Sequence, residues 1–167
     1  MFDFLASVYF NSRLNKIYNS NIEKEGFSPS GVFWNSIESQ YSRFEVLFSL
    51  LAQNLRKKTL RIADVGCGCG DFLDYLIKNN FKDFSYQGYD INSQMIKHCK
   101  RKYPANFFMV NSYPLYECDF SVMNGTYNYA VTDNLQKWEE YIIYNLLQCY
   151  QRSDLGMIFN LQFSKTR

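Results

Sequence analysis

The chain has 167 residues, 47% hydrophobic and 20% charged, with a net charge of +2. That length suits one domain with a real core, and that balance reads as a soluble globular protein. A charge so near zero leaves no electrostatic footprint for nucleic acid, and no apolar run approaches the roughly eighteen residues of a membrane span.

In chain order, the first 26 residues read as helical and polar, with Asn11, Asn15, Asn19 and Asn21 weakening the pattern. The opening Met1-Phe2-Asp3-Phe4-Leu5 lacks the basic start of a secretion signal. Five cysteines, an odd number, fit a reducing compartment, so a cytoplasmic location is expected. Asn35-Ser36-Ile37-Glu38 reads as a helix N-cap with a glutamate at N3. Ile37, Tyr41, Phe44, Phe48, Leu51 and Leu55 then follow on one helical face. That helix is expected to pack on a sheet and to carry Gln40 and Arg43 towards a ligand.

Leu60 to Val65 is a short apolar strand that runs into Gly66-Cys67-Gly68-Cys69-Gly70. A helix from Asp71 to about Asn79 opens at once, so free N–H groups and a positive dipole end point at whatever binds. Phe84 to Tyr89 is a second strand, and it ends in Asp90, placed to accept hydrogen bonds from a ribose. Glycine loop, helix and acid together describe an adenosine-binding β-α-β unit. Ser93 to Tyr103 reads as a helix burying Met95, Ile96, Cys99 and Tyr103, with His98 towards solvent. A later helix carries Trp138, Tyr141, Ile142, Asn145, Leu146 and Cys149, and Ser153-Asp154-Leu155-Gly156 ends it. A fifth strand is expected from Met157 to Phe163. Strands alternating with helices imply a parallel sheet covered on both faces. Residues 1–58 are expected to form a helical lid and 59–167 the α/β core.

Spacing narrows the adenosine ligand. The dinucleotide fingerprint G-x-G-x-x-G requires glycine where Asp71 stands, and its carboxylate repels a pyrophosphate. No Gly-Lys-Ser/Thr closes the loop as a P-loop requires. An uncharged or cationic group beside the glycines, with Asp64 below, suits the amino-acid end and sulfonium of S-adenosylmethionine. Cys67 and Cys69 lack the second pair that a zinc site needs, so no metal is expected.

Asp64-Val65-Gly66-Cys67-Gly68-Cys69-Gly70-Asp71-Phe72 resembles the first motif of the class I S-adenosylmethionine-dependent methyltransferases. Tyr86-Gln87-Gly88-Tyr89-Asp90-Ile91-Asn92 resembles their second. Phe27 to Trp34 and Gln40 to Phe44 look like the lid of a bacterial small-molecule subgroup. The resemblance implies a Rossmann-like three-layer sandwich with sheet order 3-2-1-4-5. It also implies S-adenosylmethionine as methyl donor, with no metal. It places Asp64 at the cofactor amino group, Gly66, Cys67, Gly68 and Gly70 against its backbone, and Asp90 with Ile91 at the ribose. Asn111 and Ser112, after a third strand at Phe107–Val110, fall near adenine. Asn124, after a fourth strand from Phe120, lines the transfer pocket, and Arg43 meets the cofactor carboxylate.

Members of this family continue past their fifth strand with a helix and two more strands, whereas this sequence stops at Arg167. Three readings follow: a truncated enzyme, self-association along the strand-five edge, or a minimal version of the fold. The expected activity is methyl transfer by in-line displacement to a small molecule such as a sugar or carboxylate. Neither an Asn/Asp-Pro-Pro-Tyr motif nor a Pro-Cys motif points to nucleic acid. The alternatives are a non-catalytic relative that binds cofactor or a partner protein, and an NAD-dependent oxidoreductase.

Overall fold

The computed structural model describes residues 4–55 and 59–161. Residue 58 at the expected lid boundary, and Phe163 at the expected end of the last strand, lie outside the described residues. Five strands, β1 (Leu60–Val65), β2 (Phe84–Asp90), β3 (Phe107–Val110), β4 (Cys118–Met123) and β5 (Ser153–Phe159), form one sheet in the order β3-β2-β1-β4-β5. Every neighbouring pair is parallel. The chain moves outward from β1 to β3, then returns to the other side of β1. The crevice at this reversal, outside the carboxyl ends of the strands, is where an open α/β sheet binds ligands.

Five helices cover the sheet: α1 (Phe4–Glu25), α2 (Ile37–Ala52), α3 (Asp71–Lys78), α4 (Ser93–Lys102) and α5 (Leu135–Gln151). Side chains alternate across a strand, and two cores result. Leu60 and Ile62 of β1 join Phe44, Leu51, Leu73, Leu76 and Ile96 from α2, α3 and α4. Ala63 and Val65 face the other way, onto Phe10 and Leu14 of α1 and Trp138, Tyr141 and Cys149 of α5. The first helices therefore each complete one face of the sheet, and the segment between them crosses the carboxyl ends of the strands. Despite its asparagines, α1 is one continuous 22-residue helix. Phe10, Leu14 and Ile22 give it a buried stripe.

Two expected boundaries shift. The cap of α2 is Ser36, whose hydroxyl accepts from Ser39 N–H at 3.1 Å, so the start lies one residue beyond Asn35. The buried face of α2 is Gln40, Phe44, Leu47 and Leu51, while Ile37 is 53% exposed. The fifth strand starts at Ser153, opposite Cys118, four residues ahead of Met157. Gly156 interrupts its register between Cys118 and Phe120. It marks a bulge inside the strand, the other meaning that an isolated strand glycine carries.

At the amino ends of the strands, Asp119 accepts from Arg61 N–H and from its guanidinium, each at 2.8 Å. Asp154 takes a further bond from the same guanidinium. This clasp joins β1, β4 and β5 and lies at the opposite end from the ligand crevice.

Candidate functional site: an acidic, aromatic-walled cleft

The turn after β1 is shaped by its glycines. Gly66, Gly68 and Gly70 have φ of 78°, 53° and 79°, a region that side chains disfavour. At Gly66 a Cβ would lie 2.7 Å from Thr126 Oγ1, and at Gly70 one would lie 2.7 Å from the Tyr103 ring. Both positions are therefore closed by packing as well as by backbone shape. The N–H groups of Gly66 and Cys67 bond to the Tyr89 carbonyl, which fixes the turn to the end of β2.

Asp90 faces this turn. Its Oδ2 accepts from Gly68 N–H at 3.0 Å and its Oδ1 from Asn92 N–H at 2.7 Å. Asn92 also caps α4 through Gln94 and Met95 N–H, and its amide donates to Asn19 of α1 at 2.7 Å. Burial pushes the Asp90 carboxyl up to about 6, against the pull of those two backbone donors. Asp64, 3% exposed, accepts from the Tyr86 hydroxyl. Burial pushes its carboxyl up to about 7, the Tyr86 bond opposes this, and the Asp90 and Asp71 charges add to it.

Asp71 opens α3. Gln40 of α2, 2% exposed, donates its Nε2 to Asp71 Oδ2 at 2.9 Å. The Gln40 Oε1 is buried and has no hydrogen-bond partner.

These groups line one partly open cleft, whose volume of about 900 Å³ includes open solvent. Of the expected ligand residues, Asp64, Gly66, Cys67, Gly68, Asp90, Ile91, Asn111 and Ser112 line it. Gly70 does not; it is the α3 N-cap, held against Tyr103. Asn111 donates its Nδ2 to the Tyr113 carbonyl at 2.8 Å. Asn124 is also outside the lining, because its Oδ1 accepts from Asn160 of the segment after β5. Gly125 and Thr126 take that place. Arg43 is outside as well: its guanidinium lies over the Trp34 ring, 4.8 Å from the centroid, while Trp34 itself lines the cleft. His98, expected in solvent, stacks on Phe27 at 4.2 Å.

The remaining wall is largely aromatic, with Tyr18 from α1, Trp34, Phe44 from α2, Tyr127 after β4 and Tyr141 from α5. Trp34 and Phe44 fall in the segments that resemble a lid and Tyr141 on a later helix, while nothing local in the sequence marks Tyr18 or Tyr127. Only their convergence in space distinguishes them from the many other aromatic residues. Phe33 stacks on Tyr129 and meets Tyr18 edge-on, which holds the segment after α1 against the segment after β4. The lining contains three carboxylates and, among the described residues, no lysine, arginine or histidine. That donor set fits a cationic ligand and opposes a pyrophosphate. Among the described residues no group of His, Cys, Asp or Glu is placed to hold a metal, and no helix is long and apolar enough to cross a membrane.

No family model matches the chain. A Mycobacterium tuberculosis protein known by name as a methyltransferase, Rv1506c, is 29% identical over 102 residues, 59% of this chain and 61% of that protein. Among solved structures, the plantazolicin methyltransferase BpumL, in complex with a desmethylPZN analogue and SAH, superposes with a TM-score of 0.60 at 16% identity. The match covers 93% of this chain and 59% of BpumL. A Leishmania major S-adenosylmethionine-dependent methyltransferase gives a TM-score of 0.60 at 18% identity, covering 88% of this chain and 61% of that one. The chain thus has the Rossmann-like fold of the class I S-adenosylmethionine-dependent methyltransferases, and it spans about three fifths of the length of these relatives.

Proposed function

We propose that the protein binds S-adenosylmethionine in this cleft and transfers its methyl group to a small-molecule acceptor. The observation that carries the reading is the Gly66–Gly70 turn facing buried Asp90, in a lining with three carboxylates and no described basic residue. Bound there, S-adenosylmethionine supplies a methyl group on a sulfonium, a leaving group that needs neither metal nor covalent intermediate. The side chains hold and orient. Asp90 has lone pairs left for the two ribose hydroxyls after its backbone bonds, and charge-assisted bonds of this kind contribute about 1.5–3 kcal/mol each. Asn111, its amide donor occupied by Tyr113, offers Oδ1 to the adenine amino group. Asp64 is an acceptor for the ammonium group of the cofactor's amino-acid end. The aromatic wall excludes water and keeps an acceptor close, where proximity supplies much of the rate.

The acidic lining disfavours NAD, since no described basic residue meets its pyrophosphate. A partner-binding protein without turnover would keep the cofactor site and lack an acceptor. The test is calorimetric titration with S-adenosylmethionine, S-adenosylhomocysteine and NAD, on the wild type and Asp90→Asn. Micromolar binding of the first two, lost in the variant, supports the reading. Preference for NAD, or no binding by a folded protein, sinks it.

A further inference from the structure

The lining divides by chemistry. The glycine turn, Asp64, Asp90, Asn111 and Ser112 lie along the carboxyl ends of β1, β2 and β3, which the proposed cofactor would occupy. What remains comes from α1, α2, the segment between them, α3, α4, the segment after β4 and α5, and it includes five aromatic residues, Tyr18, Trp34, Phe44, Tyr127 and Tyr141. Nothing in that chamber carries a positive charge among the described residues. Arg43, the cation nearest in argument, lies over Trp34 and outside the lining. The hydroxyls of Tyr127 and Tyr141 are turned inward, to Met123 Sδ and to Asn11 Oδ1. On the same cleft, Asp71 and the buried, partnerless Gln40 Oε1 both seek donors.

We propose that the methyl acceptor is an aromatic small molecule that is uncharged or carries an amine, and that carboxylates of the same shape are rejected. This deepens the methyltransferase reading and rests on it for the word acceptor. An anionic molecule entering the chamber would lose its hydration near Asp71, with no described guanidinium or ammonium to replace the water. Like-charge juxtaposition in a recess adds to that cost. Aromatic rings, by contrast, gain offset or edge-to-face contacts with Trp34 and the tyrosines. An amine gains in addition from the ring faces and the carboxylates. The carboxylate class of acceptor raised by elimination from the sequence is thereby disfavoured by charge.

Ligand-observed NMR on the intact chain, with and without saturating S-adenosylhomocysteine, tests this with two matched triplets. One is tyramine, 4-ethylphenol and 3-(4-hydroxyphenyl)propionate; the other is tryptamine, 3-methylindole and indole-3-propionate. The expected result is that amine and neutral members bind, with the carboxylate weaker by about tenfold or more. Asp71→Asn, which keeps an oxygen for Gln40, narrows that ratio by helping the carboxylate member; a merely structural loss would weaken all three alike. Carboxylates binding as well as the amines, or no amine or neutral member binding, overturns the proposal. If S-adenosylhomocysteine fails to bind, the methyltransferase reading falls by that separate titration. The charge ranking on the unloaded protein still decides the selectivity.

Discussion

Gln40 Nε2 donates to Asp71 Oδ2 across 2.9 Å, and by this bond α2 is tied to the first residue of the glycine-loop helix. The bond is between residues 31 positions apart and sits at the rim of the cleft. It fixes the height of α2 above the turn, and it leaves one buried acceptor, Gln40 Oε1, waiting for a donor.

Replacing Gln40 with leucine removes the donor and leaves the Asp71 carboxylate without it. A hydrogen bond to a charged group contributes about 1.5–3 kcal/mol, so the variant is expected to melt lower and to bind S-adenosylhomocysteine about tenfold more weakly. Gln40→Glu sets two carboxylates together and is expected to lose more stability at pH 8 than at pH 5. A double-mutant cycle with Asp71→Asn, read by chemical denaturation, should give a coupling of about 1 kcal/mol or more. Additivity of the two substitutions would show that the bond does not hold α2 to α3.

The two buried carboxyls make opposite contributions to stability and binding. Asp64 at about 7 and Asp90 at about 6 are both raised by burial above their unfolded value. A group raised in this way favours the folded state fully at low pH, and that contribution is lost as pH rises through the folded value. The ligand-free protein is therefore expected to lose stability between pH 5 and 8. A cationic ligand favours the ionised carboxylates, so binding should release protons in the same window and tighten with pH. Calorimetry in buffers of different ionisation enthalpy measures the release. Proton uptake near pH 6.5 would contradict the cationic-ligand assignment.

Asp64→Asn separates the two effects. The amide keeps an oxygen for the Tyr86 hydroxyl and removes a carboxylate that is costly to bury when charged. Thermal melts should show the variant more stable than wild type at pH 8 and little changed at pH 5. Its affinity for S-adenosylmethionine should fall. A variant destabilised equally at both pH values would indicate a packing role instead.

The turn and Asp90 were legible because each depends on local pattern: apolar runs, alternate glycines and an acid at a strand end; the order of the strands came from the resemblance alone. Helix α1 was legible in type but not in amphipathicity, since its buried Phe10, Leu14 and Ile22 are spread thinly among polar residues. What local pattern could not reach was which side chains meet across the fold. Arg43 on α2 is close enough to the cleft by helical phase, yet Trp34 lies beneath its guanidinium. Asn124 at a strand end is drawn away by Asn160, a partner 36 positions later. Tyr18 and Tyr141 enter the site from α1 and α5, elements at opposite ends of the sequence. The strand start at Ser153 depended on pairing with Cys118, which no periodicity within the segment reveals.

Gly66→Ala offers a last test, because it strikes the backbone and leaves every charge in place. At a φ of 78° a side chain is strained, and the new Cβ would meet Thr126 Oγ1 at 2.7 Å and Cγ2 at 2.8 Å. Thr126 is not free to swing aside, since its hydroxyl donates to the Val65 carbonyl at 2.8 Å. Strain of this kind costs about 1–3 kcal/mol, so the melting temperature should drop by several degrees. Thr126→Ala alone loses a hydrogen bond, whereas in the pair Gly66→Ala with Thr126→Ala the contacts with Oγ1 and Cγ2 are gone and only the 3.1 Å approach to Cβ remains. The double variant should therefore be more stable than the two single losses summed would allow. If the losses simply add, Thr126 does not set the limit at Gly66, and the left-handed backbone alone accounts for the glycine.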